Sequence, residues 1–274
     1  MTVWSAAACV ADDLGEVVPA EPPANRIVSL VPSLTELLFA IGAGDRIVGV
    51  TRFCEQPAAA VALLPKVGGT KNPDGNQILS LRPDLVIANA EENRHADVAC
   101  LRTAGVRVFV TYPRRVAAVP ARLRKLGRRC GCGARAEEIA SELEEDLAGQ
   151  PPPVRRRVFC PIWKNPWMSM NADTYAHDLL DHCGGENLCG SQQQRYPVVS
   201  LEEIAAFDPE VVLLPDEPYR FSRRDRAELA PLSGTTALRS GAVYFIDGKA
   251  LTWFGARTRF ALRYLRLFFH PHRG

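Results

Sequence analysis

The sequence predicts an α/β protein of two Rossmann-like lobes with mostly parallel sheets, joined by a single long helix, with a ligand cleft between the lobes. Three observations predict it. Short apolar runs alternate with helical segments through residues 25–115, the pattern of strands connected by crossover helices. The same alternation resumes over residues 151–274. Between the two stretches, residues 116–150 read as linking helices with one break at Gly131-Cys132-Gly133. Residues 1–24 are polar and acidic with Pro19, Pro22 and Pro23, and a loose N-terminal arm is expected there.

Arg26 to Val31 opens the first lobe as a buried strand, bounded by the turn signal of Pro32. In the helix that follows, Leu34, Leu37, Leu38 and Ile41 recur at helical spacing. Ser33 or Thr35 is the expected cap, and Gly42 and Gly44 suit the stop. Further strands are expected at Ile47–Val50, Lys66–Val67, Leu85–Ala88 and Val106–Val110. Helices over Gln77–Leu81 and Ala96–Ala104 end before Pro83 and at Gly105, where continuation is penalised. In the linking segment, Ile139, Leu143 and Leu147 recur every four residues among glutamates. That is an amphipathic helix of about 15 residues, roughly 22 Å long. The second lobe reads as strands at Arg157–Pro161, Glu210–Leu214 and Val243–Ile246, with helices over Asp173–Cys183, Leu201–Phe207 and Thr258–Phe269. No strict sequence repeat relates the two halves.

Composition narrows the function classes. The net charge is only +2, whereas nucleic-acid binders carry a basic excess. The short arginine runs at Arg114–Arg115, Arg128–Arg129 and Arg155–Arg157 read as solvated faces. No run approaches the ~20 apolar residues of a membrane helix, so no membrane insertion is expected. The opening residues lack a basic n-region. A cytoplasmic protein is expected as the sequence stands, and a periplasmic one if the start codon is misassigned. The eight cysteines form no regular framework, and reduced thiols are the expectation for a cytoplasmic chain.

Three groups of motifs carry a resemblance. Ile27-Val-Ser-Leu-Val-Pro-Ser-Leu-Thr-Glu36 is followed by Ala40-Ile-Gly-Ala-Gly-Asp45 and Ile47-Val-Gly-Val50. Leu79-Ser-Leu-Arg-Pro-Asp-Leu-Val-Ile87 comes next, then Cys183-Gly-Gly-Glu-Asn187 and Ser200-Leu-Glu-Glu-Ile204. In this order they resemble the cobalamin and iron-siderophore substrate-binding proteins of ABC importers, over about residues 25–269. The resemblance implies a small-molecule ligand, a corrinoid such as cobalamin or a ferric chelate, and no intrinsic cofactor. It also implies a monomer that docks to an ABC permease through one glutamate on each lobe. Glu202 matches the second-lobe position. Asn76 falls on the first, which weakens that contact. Where cobalamin-specific members carry an aromatic after the first-lobe strand, this chain has Asn89.

Ligands of parallel sheets bind outside the carboxyl ends of the strands, so segments after the strands supply the candidate contacts. In the second lobe, Pro161-Ile-Trp-Lys-Asn-Pro-Trp-Met168 offers Trp163, Trp167 and Met168, with aromatic faces for a flat ligand. Asp216, Tyr219 and Arg220 suit a polar periphery, and Tyr196 lies in a loop before Pro197. Trp253, Phe254 and Arg257 sit where the resembled family closes its cleft. The first lobe offers Phe53, which aligns with a family aromatic, and Glu91, Glu92 and Asn93. No HExxH, P-loop, GxSxG or GxGxxG motif occurs, and a binding protein rather than an enzyme is expected. The alternatives are a cytoplasmic enzyme or sensor acting on a bound corrinoid, haem or chelate through Asp216, Glu217 or His177, and an interaction protein with a collapsed cleft.

Overall fold

The computed structural model describes residues 9–19, 22–149 and 154–269. His270 and His272, expected in a C-terminal tail, lie outside the described residues. The chain divides into two compact units. The first takes the chain to Pro113 together with Ala118–Glu145, and the second takes Arg114–Ala117 and Asp146–Gly274. The helix Gly133–Ala148 carries the chain from one unit into the other.

In the first unit, β3 (Ile27–Ser29), β4 (Ile47–Val50), β5 (Leu85–Asn89) and β6 (Val108–Thr111) form a parallel sheet in the order β4-β3-β5-β6. In the second, β7 (Arg156–Phe159), β8 (Gly185–Asn187), β9 (Val211–Pro215) and β10 (Val243–Ile246) form another, ordered β8-β7-β9-β10. The two orders are the same relative to chain direction. Every residue of β5 and β9 is buried, which is why both read as unbroken apolar runs. Lys66–Val67 contributes only an isolated bridge between Val50 and Lys66. β8 escapes the strand pattern of the sequence, because Gly-Glu-Asn has poor strand composition and pairs only through β7.

A shared device closes the amino end of each sheet. The Arg26 guanidinium donates to the Leu81 and Arg82 carbonyls at the end of the helix Gly75–Ser80. Its backbone N–H donates to the Asp84 carboxylate at 3.1 Å, and Asp84 N–H returns a bond to Arg26 O at 2.9 Å. In the second unit Arg157 donates to the Phe207 and Asp208 carbonyls after the helix Leu201–Ala206. Arg157 N–H donates to the Glu210 carboxylate at 3.0 Å, and Glu210 N–H donates back at 2.9 Å. Arg82 and Asp208, each before a proline, hold φ of 48° and 47°, left-handed values that cost roughly 1 kcal/mol or more outside glycine. The carbonyl bonds of the arginine hold each of them there. The lobes are thus structural repeats without sequence repetition.

Two expectations are corrected. The helix Pro32–Ala40 starts on Val31 with Pro32 in its first turn and has no side-chain cap. Proline suits that position because its missing N–H would be unpaired there anyway. Thr35 Oγ1 instead lies 2.9 Å from Ser29 Oγ and 3.1 Å from Val31 O. The described part of the N-terminal arm is not loose, for β1 (Cys9–Ala11) and β2 (Val17–Pro19) pair antiparallel. Asp12 accepts from Leu14 and Glu16 N–H within the hairpin, and from Val110 N–H and Arg102 outside it. Asp13 accepts from Tyr112 N–H and Arg122. The hairpin therefore covers β6, the edge strand, whose free amides are otherwise a template for unwanted pairing. Arg129, 2% exposed, donates to Val18 O and lies 4.9 Å over the Phe109 ring. Burial pushes its guanidinium down to about 10, so it stays charged at neutral pH.

Asp12→Ala removes one buried acceptor from four donors. It is expected to destabilise the chain by about 2–4 kcal/mol, measured by urea unfolding, with faster amide exchange at Val110 and Tyr112.

Candidate functional site

Loops gather at the carboxyl ends of the strands in each unit. After β7 the chain makes a tight antiparallel turn: Met168 N–H donates to Trp163 O at 3.1 Å and Ile162 N–H to Met168 O at 2.8 Å. Val199 N–H to Trp167 O, 2.9 Å, and Ser169 N–H to Pro197 O, 3.0 Å, anchor the turn. Asn165 occupies φ 61° at its tip, a region asparagine tolerates better than most residues. Met168 is half-buried.

The turn presents an aromatic run. Trp163 and Tyr219 meet edge to face at 5.6 Å with planes at 72°. Tyr219 packs 4.7 Å from Phe221, which stacks on Trp167 at 5.7 Å and 10°. Trp163 is 44% exposed, while Phe221 is buried and Trp167 half-buried. Lys164 points away from the exposed ring into the fold and is 8% exposed. Its ammonium donates to Asp225 Oδ1 and Glu228 Oε1, each at 2.6 Å. Burial pushes the Asp225 carboxyl up, but the bonds from Lys164 and Ser222 outweigh it and hold the group well below the usual carboxylate range. Phe221, Lys164 and Asp225 were not among the sequence candidates.

The loops after β9 and β10 are knitted together. Asp216 Oδ1 accepts from Gly248 N–H at 2.7 Å. A side chain at Gly248 would place Cβ 2.5 Å from Glu217 N and 2.7 Å from Glu217 O, so only glycine fits. Glu217 accepts the Trp253 indole N–H at 3.2 Å and pairs with Lys249 at 3.1 Å. Lys249 and Arg257 lie over the Trp253 ring at 5.6 and 5.4 Å. Trp253 is 7% and Phe254 3% exposed, and Phe254 meets Tyr175 edge-on at 6.4 Å. Both rings are buried, Trp253 beside Lys249 and Arg257 and Phe254 beside Tyr175. Arg257 also pairs with Asp247 at 3.5 Å. Arg220 is exposed, and Tyr196, with Arg195 at 5.8 Å over its ring, lies in the loop after β8 that pairs with the turn.

In the first unit Phe53 is 52% exposed, with Arg52 5.2 Å over its ring. Glu91 and Glu92 are half-buried, and Glu91 N–H donates to Asn89 Oδ1 at 2.8 Å. Asn93 is corrected. It is 5% exposed, accepts from Asn89 N–H and donates to Thr70 O, each at 2.8 Å, so its amide is a structural strut. Asn89 itself is buried and reaches Thr111.

Asn76 and Glu202 hold the same place in the repeat, the second position of the helices Gly75–Ser80 and Leu201–Ala206, and both are exposed. Asp74 caps the first helix through Gln77 N–H, and Ser200 with Glu203 makes a capping box on the second. Glu202 is left projecting. His177 is half-buried beside Asn187, 3.1 Å from ring nitrogen to amide. Burial pulls its pKa down, away from a charged form. Among the described residues no group of three His, Cys, Asp or Glu is placed to hold a metal ion.

Comparison with known proteins matches this architecture. The sequence signature of the periplasmic binding protein family covers residues 27–250. The vitamin B12-binding protein of Yersinia pestis is 27% identical over 199 residues, covering 70% of this chain and 69% of the relative. That of Vibrio parahaemolyticus is 26% identical over 197 residues, covering 70% and 71%. Among solved structures, a periplasmic heme binding protein from Pseudomonas aeruginosa superposes with TM-score 0.78 at 27% identity, covering 91% of this chain and 94% of the other. The periplasmic vitamin B12 binding protein BtuF of Vibrio cholerae shares the fold with TM-score 0.75 at 24% identity, covering 90% and 97%. Two lobes of one topology, loops gathered at their strand ends and a signature running through both place this chain in the periplasmic binding protein family.

Proposed function

We propose that this chain captures a flat, bulky metal macrocycle, a corrinoid or a haem, and hands it on unchanged. The observation that carries this is the aromatic run Trp163–Tyr219–Phe221–Trp167 at the strand ends, with Trp163 left 44% exposed. An exposed indole braced by further rings presents a rigid apolar face to a planar ligand, and little side-chain freedom is lost on binding. Relatives named for vitamin B12 and a structural neighbour named for heme support this ligand class. Exposed Arg220 is assigned to the ligand's polar edge, and exposed Phe53 is the ring the first lobe offers. Enzymatic use of His177 is disfavoured by its bond to Asn187.

Titration of tryptophan fluorescence and ligand absorbance with hemin and cyanocobalamin tests the reading. Saturable quenching is expected at or below micromolar concentration for one of them. Trp163→Ala is expected to weaken it roughly tenfold, the scale of losing an aromatic contact. No signal with either ligand, nor with a ferric siderophore, overturns the ligand class.

The partner is proposed to be an ABC permease, met by a monomer through Glu202. Its helix position is exposed and acidic, whereas its first-lobe counterpart, Asn76, is neutral. Glu202→Gln is expected to weaken capture by the permease roughly two- to fivefold, and Asn76→Glu to strengthen it by a similar factor, as for rim charges. Capture unmoved by both substitutions overturns this docking site. The compartment belongs to the same proposal. The periplasmic family description supports a place outside the membrane, where an importer's receptor meets its permease.

A further inference from the structure

We propose that Asp225 is a positioning residue for the ligand-binding aromatic corner, fixing the angle between Trp163 and Tyr219 through a single carboxylate oxygen. The inference rests on the ligand-binding reading of the second lobe. Asp225 is 5% exposed. Its Oδ1 accepts from Lys164 Nζ at 2.6 Å and from the Tyr219 hydroxyl at 3.2 Å. Its Oδ2 accepts from Ser222 N–H at 2.8 Å and Ser222 Oγ at 2.6 Å. Neither oxygen is left for a ligand, so Asp225 acts through the residues it holds.

The two Oδ1 donors sit on the two segments that form the corner. Lys164 directly follows Trp163 in the turn after β7, and Tyr219 lies in the loop after β9. The rings they carry or constitute meet at 5.6 Å and 72°. A carboxylate held by charge-assisted bonds from both segments fixes where each ring stands relative to the other. A near-perpendicular pair forms a notch. The apolar surface a planar ligand meets there is set by the angle between the two rings, and rotation of either ring changes it. Supporting shells of this kind determine whether a site is held tightly enough to bind.

The ion pair can be loosened without stranding a charge. Lys164 keeps Glu228, also at 2.6 Å, when Asp225 is changed, which limits the cost of breaking a buried pair. A double-mutant cycle on Asp225→Asn and Trp163→Ala, read by hemin absorbance titration, tests the assignment. Each single variant is expected to raise Kd roughly tenfold, and the double variant no more than about twofold beyond Trp163→Ala, because both act through one ring. Asp225→Asn is also expected to alter the near-ultraviolet circular dichroism of the aromatic residues, a signal that general loss of stability without ring movement leaves in place. Losses that multiply, or an unchanged Kd in Asp225→Asn while Trp163→Ala weakens binding, overturn the positioning role alone. Unchanged hemin binding in Trp163→Ala overturns the ligand-binding reading of the corner and this inference with it.

Discussion

An arginine at the amino end of the first strand, bonded to the carbonyls that end a helix and to the acid just before the third strand, organises each lobe. In the first lobe Arg26 and Asp84 make this closure, and in the second Arg157 and Glu210. Its consequence is register. With Arg26 and Asp84 joined, Ile27 faces Leu85 and Ser29 faces Ile87. With Arg157 and Glu210 joined, Val158 faces Val211 and Phe159 faces Val212. A slip in a strand buried on both faces would misplace every side chain of its run. Setting register at the amino end fixes which residues emerge at the carboxyl end, where the candidate contacts stand.

The aromatic turn is held by charge from behind, through Lys164 with Asp225, and half-buried Glu217 with Lys249 braces the loops after β9 and β10. A buried pair such as Lys164–Asp225 adds little net stability over apolar substitutes but is costly to break. Its value here is geometric, since a binding surface loses affinity when its loops are free to reorganise. Rigid loops on a repeated scaffold suit capture and release.

Much of the fold was legible in the sequence because its main strands are buried on both faces. Continuous apolar runs such as Leu85–Ala88 announce themselves, and Val243–Ile246 and Thr258–Phe269 have the bounds their patterns predict. The N-terminal hairpin was illegible because its acids look solvated until their partners are known. Asp12 meets Arg102 and Asp13 meets Arg122, 90 and 109 residues away. The exposed ring of the candidate site, Trp163, was legible from composition and position. Its support was not, since Lys164 finds Asp225 61 residues later. For Trp253 and Asn93 type and position were legible but their partners were not: Trp253 is bonded to Glu217 and Asn93 to Asn89 and Thr70.

The central proposal is that ligand lands on the aromatic turn at the strand ends of the second lobe. Hydrogen exchange with and without hemin or cyanocobalamin tests it most directly. Slowed exchange is expected over residues 161–168 and 216–221, with the amino-end closure at Arg157 and Glu210 unchanged. Protection absent from both loops, in a chain that demonstrably binds the ligand, would contradict it.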